Sequence, residues 1–400
     1  MPSSALSSSG LARLHRVLSA HVGHSVPGLV ALVSHRDHVH VEALGTLAFD
    51  GAAPMQRDTI FRAGSIVKPV TAAAAMLLVE DCRLRLDDPV DTWLPELANR
   101  RVLRTLASSL DDTVPAQRAI TLRDLLTSRM GFGSVMAMPG TYPIQHAIRD
   151  LRIGGDGHLK PSLLPREAEW IANLGSLPLV AQPGERWLYH TSIDVLGVLV
   201  SRVAGQPFGR FLRERLFDPL GMKDAGFHVP ADQLHRLPPC YAFDHASNAF
   251  VVFDDTPDTA WSPEPPFESG AGGLVCTVDD CHAFCRLLLN HGRHGNAQIL
   301  SRASVALMTT DQLTPENRIG AGPFFGDHSS WGFGMAVGTR RTDIYQTPGR
   351  YGWDGGYGVS AYTDPVEGLI GILFTQCLLD SPVAPKTFSD FWTAAYAALE

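Results

Sequence analysis

Residues 61–86, FRAGSIVKPVTAAAAMLLVEDCRLRL, place a serine and a lysine at the start of an almost wholly apolar segment. The segment predicts one long helix. Pro69 has no backbone N–H and favours the first turn of a helix, so Ser65 is expected at the amino end. Residues three apart lie on the same helical face. The hydroxyl of Ser65 and the amine of Lys68 are therefore expected to be neighbours.

A serine becomes a good nucleophile only when a base lies within hydrogen-bond reach. The pKa of lysine in water is about 10.4, so the amine of Lys68 would serve as that base only if burial or a nearby cation kept it neutral. The apolar run after Lys68 predicts such burial, and the amino end of a helix would stabilise an oxyanion. Taken alone, the pair also fits an N-cap serine followed by a surface lysine.

Composition limits the classes of function. The chain has 400 residues, of which 45% are hydrophobic and 18% charged, as in an ordinary globular protein. Its net charge of −8 arises from 41 acidic and 33 basic residues without long runs of either sign. The sequence therefore predicts no nucleic-acid partner and no basic membrane patch, and it favours a small-molecule partner. It leaves a homo-oligomer open.

The amino end and the cysteines bear on location and cofactors. Residues 11–18 have helical apolar spacing behind a run of serines, which predicts a surface helix and a cytoplasmic protein, with a transit peptide as the alternative. Cys276, Cys281 and Cys285 surround His282, but Cys281 and Cys285 share the apolar face of a predicted helix. We expect buried free thiols, no metal and no cofactor.

Strand and helix patterns divide the chain into three parts. Residues 26–50 predict a hairpin that turns at residues 35–37, whereas residues 91–265 read mainly as helices and loops. Strands return near the carboxyl end, followed by an aromatic helix at 388–399. We therefore expect an α+β protein in which residues 1–90 and 266–400 form one antiparallel sheet with terminal helices, and residues 91–265 form an inserted helical domain.

Five segments in order carry a resemblance to a known superfamily. The region 58–97 resembles the first motif region of serine β-lactamases and penicillin-binding proteins, in particular class C β-lactamases and family VIII carboxylesterases. The other segments are ITLRDLLTSRMGFG, QPGERWLYHTSIDVLGVLVSRVAG, GAGGLVCTVDDCHAFCRLLLNHG and YGWDGGYGVSAYTDP. The resemblance covers about residues 25–375 and implies a β-lactamase-like fold.

The resemblance assigns chemical roles to residues of the motifs. It implies that Ser65 is the acylated nucleophile, that Lys68 activates it, and that Tyr189 relays protons to and from the departing group. An ammonium close to the phenol would lower the phenol pKa and couple the two titrations. The backbone N–H groups of Ser65 and Gly356 would form the oxyanion hole.

Two departures from the β-lactamase pattern concern the substrate. Thr191 stands where β-lactamases usually have asparagine, so the amide that would grip an acylamino group is missing. Trp353 replaces the usual Lys or His, with Asp354 and Gly355 after it, as in many family VIII esterases. An apolar ring and a nearby anion would disfavour an anionic substrate, so neutral esters fit better.

The leading hypothesis is a serine carboxylesterase that acts on small esters. A β-lactamase or D-amino-acid peptidase, an acyltransferase and a catalytically silent binding protein are the alternatives. The sequence lacks a G-x-S-x-G elbow, which argues against an α/β-hydrolase. His190 is expected to line the pocket rather than join a Ser-His triad, because no acidic partner for it is evident.

Overall fold

A computed structural model describes residues 6–154, 158–256 and 258–399 of the chain. The helices are α1 (Ser8–Ser19), α2 (Val67–Glu80), α3 (Leu122–Leu126), α4 (Pro143–Asp150), α5 (Glu167–Ser176), α6 (Thr191–Ala204), α7 (Phe208–Leu212), α8 (Asp218–Leu220), α9 (Val278–Leu289), α10 (Arg302–Met308), α11 (Gly322–Phe325) and α12 (Lys386–Tyr396). Tighter or wider helical turns occupy Pro95–Leu97, Pro161–Leu163, Arg213–Phe217, Ala231–Arg236 and Glu316–Arg318.

The strands come from both halves of the sequence. They are β1 (Gly28–His35), β2 (His38–Gly45), β3 (Phe61–Gly64), β4 (Arg101–Leu103), β5 (Thr113–Pro115), β6 (Cys240–Asp244), β7 (Ala249–Asp254), β8 (Leu274–Cys276), β9 (Arg293–His294), β10 (Ala297–Gln298), β11 (Ser329–Trp331), β12 (Ala336–Gly338), β13 (Tyr351–Gly355), β14 (Val359–Asp364) and β15 (Leu369–Thr375). Seven of them form one antiparallel sheet in the order β11-β12-β13-β14-β15-β1-β2. The predicted joining of the two chain ends in one α+β sheet is confirmed.

The central strands are buried on both faces. Leu29 and Val33 of β1 pack in a cluster with α1 and α12, whereas Val30 and Leu32 pack in the larger cluster that contains α2 and α9. Successive side chains of a strand point to opposite faces, so a strand between two helical layers is apolar throughout. This explains why residues 28–35 form an unbroken buried run. The predicted terminal helices lie on one face of the sheet.

The predicted bounds of one helix were wrong. Residues 61–64 form β3, which pairs with β8, so the predicted helix of 61–86 is confined to Val67–Glu80. The helix ends there because Asp81 leaves helical geometry and Cys82 adopts a positive φ of 57°. Hairpins β4-β5 and β6-β7 interrupt the predicted helical domain. The domain boundaries at residues 90 and 266 stay a prediction.

The cysteine segment folds as the sequence predicts. Cys276 lies in β8, and Cys281 and Cys285 lie in α9; all three are buried free thiols. Within the described ranges, no group of three or more His, Cys, Asp or Glu is placed to hold a metal. Among all the residues that the structure describes, no helix is both long enough and apolar enough to cross a bilayer.

A buried ion pair ties β3 to the β6-β7 hairpin. Arg62 and Asp254 are both almost fully buried, and the Arg62 guanidinium donates to the Asp254 carboxylate and to the carbonyl of Pro238. Thr259 also donates to that carboxylate, at 2.5 Å. Because Arg62 precedes Ser65 by three residues, this pair fixes the strand that leads to the predicted nucleophile.

Replacement of Arg62 should destabilise the protein strongly. Arg62→Ala leaves the Asp254 carboxylate buried without its cation, which costs roughly 3–5 kcal/mol in free energy of unfolding. Arg57→Ala is the control, because Arg57 pairs with Asp279 on the exposed surface and such pairs contribute up to about 1 kcal/mol. Urea unfolding of both variants tests this. Equal midpoints would contradict a structural role for the buried pair.

Candidate active site

Ser65 lies in the turn between β3 and α2. Gly64 ends the strand with a positive φ of 52°, a conformation that glycine adopts without strain, and the N-cap residue of α2 is Ile66. The side chain of Ser65 therefore does not cap the helix. Pro69 occupies the first turn, as predicted, and Lys68 is completely buried among the apolar side chains that follow.

The predicted nucleophile, base and phenol meet in one cluster. The Nζ atom of Lys68 lies 2.8 Å from the Oγ atom of Ser65, and the Tyr189 hydroxyl donates to the same Oγ atom at 2.9 Å. Lys68 also donates to the carbonyl of Ala271, and its Nζ atom lies 4.4 Å from the centre of the Tyr189 ring. The hydroxyl of Ser65 is thus held between an amine and a phenol.

Burial sets the protonation states of this cluster. It lowers the pKa of Lys68 from 10.5 to about 7, although the charge of Asp194 acts in the opposite direction. Burial also raises the pKa of Tyr189 to about 12, although its hydrogen bonds with Ser65 and Trp353 act in the opposite direction. The expected lowering of the phenol pKa was therefore wrong. Near neutral pH the amine is available as a base, and the phenol keeps its proton.

Trp353 is bonded directly to the phenol. Its indole N–H donates to the Tyr189 hydroxyl at 2.7 Å, and its ring packs edge-on against Trp331 with centroids 4.8 Å apart. The sequence predicts Trp353 as a substrate-binding residue in place of a cation. The structure adds a contact that no sequence pattern indicates, because it joins residues 164 positions apart.

Asp354 does not stand beside Ser65 as a free anion. Alternation along β13 places its side chain on the opposite face from Trp353, where it accepts a hydrogen bond from Tyr362 at 3.3 Å. Its Oδ1 atom is buried with no partner among the described residues, and burial raises the pKa of this carboxyl. Asp354 nevertheless lines the cavity that opens beside Ser65. Because burial favours its neutral form, the predicted repulsion of anionic substrates is weakened, and it stays a prediction.

Two glycines bring β13 against the turn that carries Ser65. A Cβ atom on Gly355 would lie 2.8 Å from the carbonyl oxygen of Ala63 and 3.5 Å from the backbone nitrogen of Ser65. Gly356 follows at the wall of the same cavity. Among the described residues, no group accepts a hydrogen bond from the backbone N–H of Ser65 or of Gly356. Both N–H groups are thus free to bind an oxyanion.

The start of α6 contains a contact between side chains that the sequence analysis missed. Thr191 is the first residue of α6 and lines the cavity, and its role in substrate binding stays a prediction. His190 precedes it with a positive φ of 82°, and its Nε2 atom lies 3.3 Å from the Oδ2 atom of Asp194. The expectation that His190 has no acidic partner was therefore wrong. The four-residue spacing was the available signal, although His190 lies just before the helix and not on its face.

A cavity of about 960 Å³ opens from this cluster. Its wall includes Ser65, Tyr189, His190, Thr191, Trp353 and Gly356. Phe132, from the ITLRDLLTSRMGFG segment, is also part of the wall. Segments that the sequence analysis did not single out add further apolar wall residues, among them Val135, Ile148, Ile153, Leu159, Leu163, Leu164 and Phe324. A cavity of this size would enclose a whole small molecule.

Comparison with known proteins agrees with this geometry. The Beta-lactamase family matches residues 14–388, which is almost the whole chain. The chain belongs to this family. One solved structure that resembles it is EstCE1, a hydrolase with promiscuous acyltransferase activity. The two superpose with a TM-score of 0.80 at 25% identity, over 97% of this chain and 98% of the EstCE1 chain.

Relatives by sequence include proteins of named activity. Esterase EstB of Burkholderia gladioli is 28% identical over 389 residues, which are 90% of this chain and 89% of that protein. An uncharacterized protein of Mycobacterium tuberculosis is 37% identical over 361 residues, which are 87% and 85% of the two chains. The family and fold predicted from the five motif segments are confirmed.

Removal of the indole N–H should slow the reaction at Ser65. Trp353→Phe keeps an aromatic ring but deletes the donor to Tyr189, so the phenol loses the bond that orients its own proton towards Ser65. We expect a loss of roughly tenfold in the rate of Ser65 labelling by a fluorophosphonate probe. Trp331→Phe is the control, because the N–H of Trp331 has no partner among the described residues. Equal losses in the two variants would contradict the orienting role.

Proposed function

We propose that this protein is a serine carboxylesterase that forms an acyl-enzyme on Ser65. The observation that supports this proposal best is the position of the Ser65 hydroxyl. It lies between the fully buried amine of Lys68, whose pKa is about 7, and the protonated phenol of Tyr189. The names of its relatives support the proposal, since Esterase EstB and a Lovastatin esterase of Penicillium rubens match 90% and 84% of this chain. Membership of the family VIII esterases is part of the proposal.

In the proposed acylation, the Oγ atom of Ser65 attacks the ester carbonyl and its proton passes to the Nζ atom of Lys68. The carbonyl oxygen becomes an oxyanion, which the backbone N–H groups of Ser65 and Gly356 bind. The bond between the acyl carbon and the alkoxy oxygen then breaks, and the alcohol takes a proton from Tyr189. Lys68 returns its proton to the phenol, so acylation restores both groups.

Deacylation needs an oxygen nucleophile at the same carbonyl. Water releases a carboxylic acid, whereas an alcohol would form a new ester, and the same residues would serve both steps. The acyltransferase alternative has support from relatives named for it, such as the Acyltransferase calJ of Penicillium decumbens, which is 28% identical over 66% of this chain. The ratio of acid to new ester formed in the presence of an added alcohol distinguishes the two.

The β-lactamase or D-amino-acid peptidase alternative has less support. Thr191 offers no side-chain amide to an acylamino group, and Trp353 offers no cation to a carboxylate. The raised pKa of Asp354 weakens the argument against anionic substrates, so neutral esters are favoured chiefly by the absent cation. Nitrocefin turnover that equals ester turnover would promote this alternative.

A silent binding protein is disfavoured because the Ser65, Lys68 and Tyr189 contacts are all formed. The cavity, at about 960 Å³, would take esters bulkier than acetate, with the acyl or alcohol part against its apolar wall. A cytoplasmic location and a homo-oligomer remain predictions. The former accords with six free cysteines in the structure.

Loss of the nucleophile should abolish ester hydrolysis. Ser65→Ala is expected to reduce the hydrolysis of a short-chain p-nitrophenyl ester at least about 10⁴-fold, and intact-mass measurement should show no fluorophosphonate adduct. Ser192→Ala is the control, because its buried hydroxyl has no partner among the described residues. Retention of the full rate by Ser65→Ala would end the proposal.

The rate should depend on pH through the amine of Lys68. Below a pH of about 7 the amine is protonated and has no lone pair for the Ser65 proton, so kcat/KM should fall about tenfold per pH unit. Above that pH the rate should level off. Hydrolysis followed at the isosbestic wavelength of the product measures this. A rate that stays constant from pH 5.5 to 8 would exclude a lysine with this pKa as the base.

A further inference from the structure

His190 and Asp194 form a pair that reaches the amine of Lys68, in which Asp194 is buried and His190 is partly exposed at the cavity wall. The Nε2 atom of His190 lies 3.3 Å from the Oδ2 atom of Asp194, and its Nδ1 atom lies 3.5 Å from the Nζ atom of Lys68. The other carboxylate oxygen of Asp194 accepts from the Ser269 hydroxyl at 2.6 Å and from the backbone N–H of Ala271 at 3.0 Å. Asp194 is thus fully bonded and nearly fully buried.

The pair and Lys68 close a ring of hydrogen bonds. The Ala271 peptide donates its N–H to Asp194, and the adjacent carbonyl of Ala271 accepts from Lys68. Burial alone would raise the pKa of Asp194, but His190, Ser269 and Ala271 hold it below its ordinary value. Asp194 is therefore an anion, and its charge favours the His190 tautomer that carries the proton on Nε2. That tautomer leaves the lone pair of Nδ1 facing Lys68.

The two acceptors next to the Lys68 amine determine which way its lone pair points. A neutral lysine amine has two N–H bonds and one lone pair. The carbonyl of Ala271 and the Nδ1 atom of His190 are acceptors for the two N–H bonds. The lone pair is then left for the hydroxyl of Ser65, 2.8 Å away. Without an acceptor at His190, the amine could rotate and turn an N–H bond towards Ser65.

We propose that His190, held by Asp194, is a positioning residue that fixes the lone pair of Lys68 on the Ser65 hydroxyl. This inference rests on the proposed function of Lys68 as the base. When Lys68 accepts the proton, its third N–H forms without any change in the other two bonds. The Asp194 anion then faces the new ammonium across His190 and stabilises it.

Other charged and titratable groups around Lys68 do not offer this acceptor. Tyr189, from the loop before α6, presents its ring to the amine and bonds its hydroxyl to Ser65. Asp354 of β13 points to the opposite face of the strand from Trp353 and is bonded to Tyr362, not to the amine. His190 itself is held at a φ of 82°, a conformation that costs free energy for a residue other than glycine. Such strain is expected where a side chain has to point in one direction.

Substitutions that imitate one ring nitrogen at a time test the proposal. The amide oxygen of His190→Asn replaces the Nδ1 acceptor, whereas His190→Gln reaches Asp194 and leaves no acceptor at the Nδ1 position. His190→Gly removes both nitrogens and any strain from the positive φ. Asp194→Asn presents an N–H to His190, which inverts the tautomer and turns the N–H of Nδ1 towards Lys68. Asp280→Asn is the control, because Asp280 is a buried carboxylate that caps α9.

The rate of Ser65 labelling by a fluorophosphonate probe, measured from pH 5 to 9, is the readout. We expect His190→Asn to stay within about threefold of the unmodified protein and His190→Gln and His190→Gly to be roughly tenfold slower. Asp194→Asn should be slow and should move the acid limb of the profile to lower pH, since the anion that raises the pKa of Lys68 is gone. Asp280→Asn should lower the melting temperature and leave the limb in place.

Two results would overturn the inference. One is a rate for His190→Gln or His190→Gly that equals the rate for His190→Asn, because an acceptor at the Nδ1 position would then be unnecessary. The other is an unshifted acid limb in Asp194→Asn. A protein that labels at Ser65 but hydrolyses no ester contradicts the proposed esterase function without affecting this inference, whereas failure of the unmodified protein to label contradicts both.

Discussion

The structure depends on an amine that is kept out of water. Lys68 is the second residue of a helix whose neighbouring side chains are nearly all apolar and buried. A pKa lowered from 10.5 to about 7 corresponds to a free-energy penalty on the order of 5 kcal/mol for the charged form. The unfolded chain binds this proton below a pH of about 10.4 and the folded chain only below about 7. Stability contributed by this group therefore falls as the pH is lowered between those values and stays low beneath them.

This cost is offset by what surrounds the site. Helix α2, which is buried from Val67 to Leu78, packs against α6, which begins beside Tyr189 and His190. The Arg62–Asp254 pair fixes β3 in front of Ser65, and the glycines of β13 allow that strand to approach the same turn. The reactive hydroxyl thus lies where three elements meet: the β3-α2 turn, the start of α6 and the free end of β13.

The fold and the reacting residues could be predicted from the sequence to a large extent. Ser65, Lys68 and Tyr189 lie in ordered motifs, and the burial of Lys68 follows from the apolar run after it. The hairpin β1-β2 was predictable from two apolar runs around a polar turn. By contrast, Phe61–Gly64 continues the apolar pattern of the helix and gives no local sign of its pairing with β8, which lies more than 200 residues away.

Electrostatic details were less predictable, because they depend on which groups are desolvated together. Proximity of an ammonium to Tyr189 suggested a lower phenol pKa, but burial of both groups acts more strongly and raises it. Asp354 is adjacent to Trp353 in sequence, yet strand alternation separates the two side chains. Asp194 was overlooked because its partner His190 lies just before the helix, at a backbone conformation that the sequence does not reveal.

The protonation state of Lys68 is the central claim, and the chain contains only four lysines. Nuclear magnetic resonance of protein labelled with ¹³C at lysine Cε, with Lys68 assigned by its loss in Lys68→Arg, would measure the titration of each amine. The account predicts that the Lys68 signal titrates near pH 7. A Lys68 signal that titrates above pH 10 would contradict it.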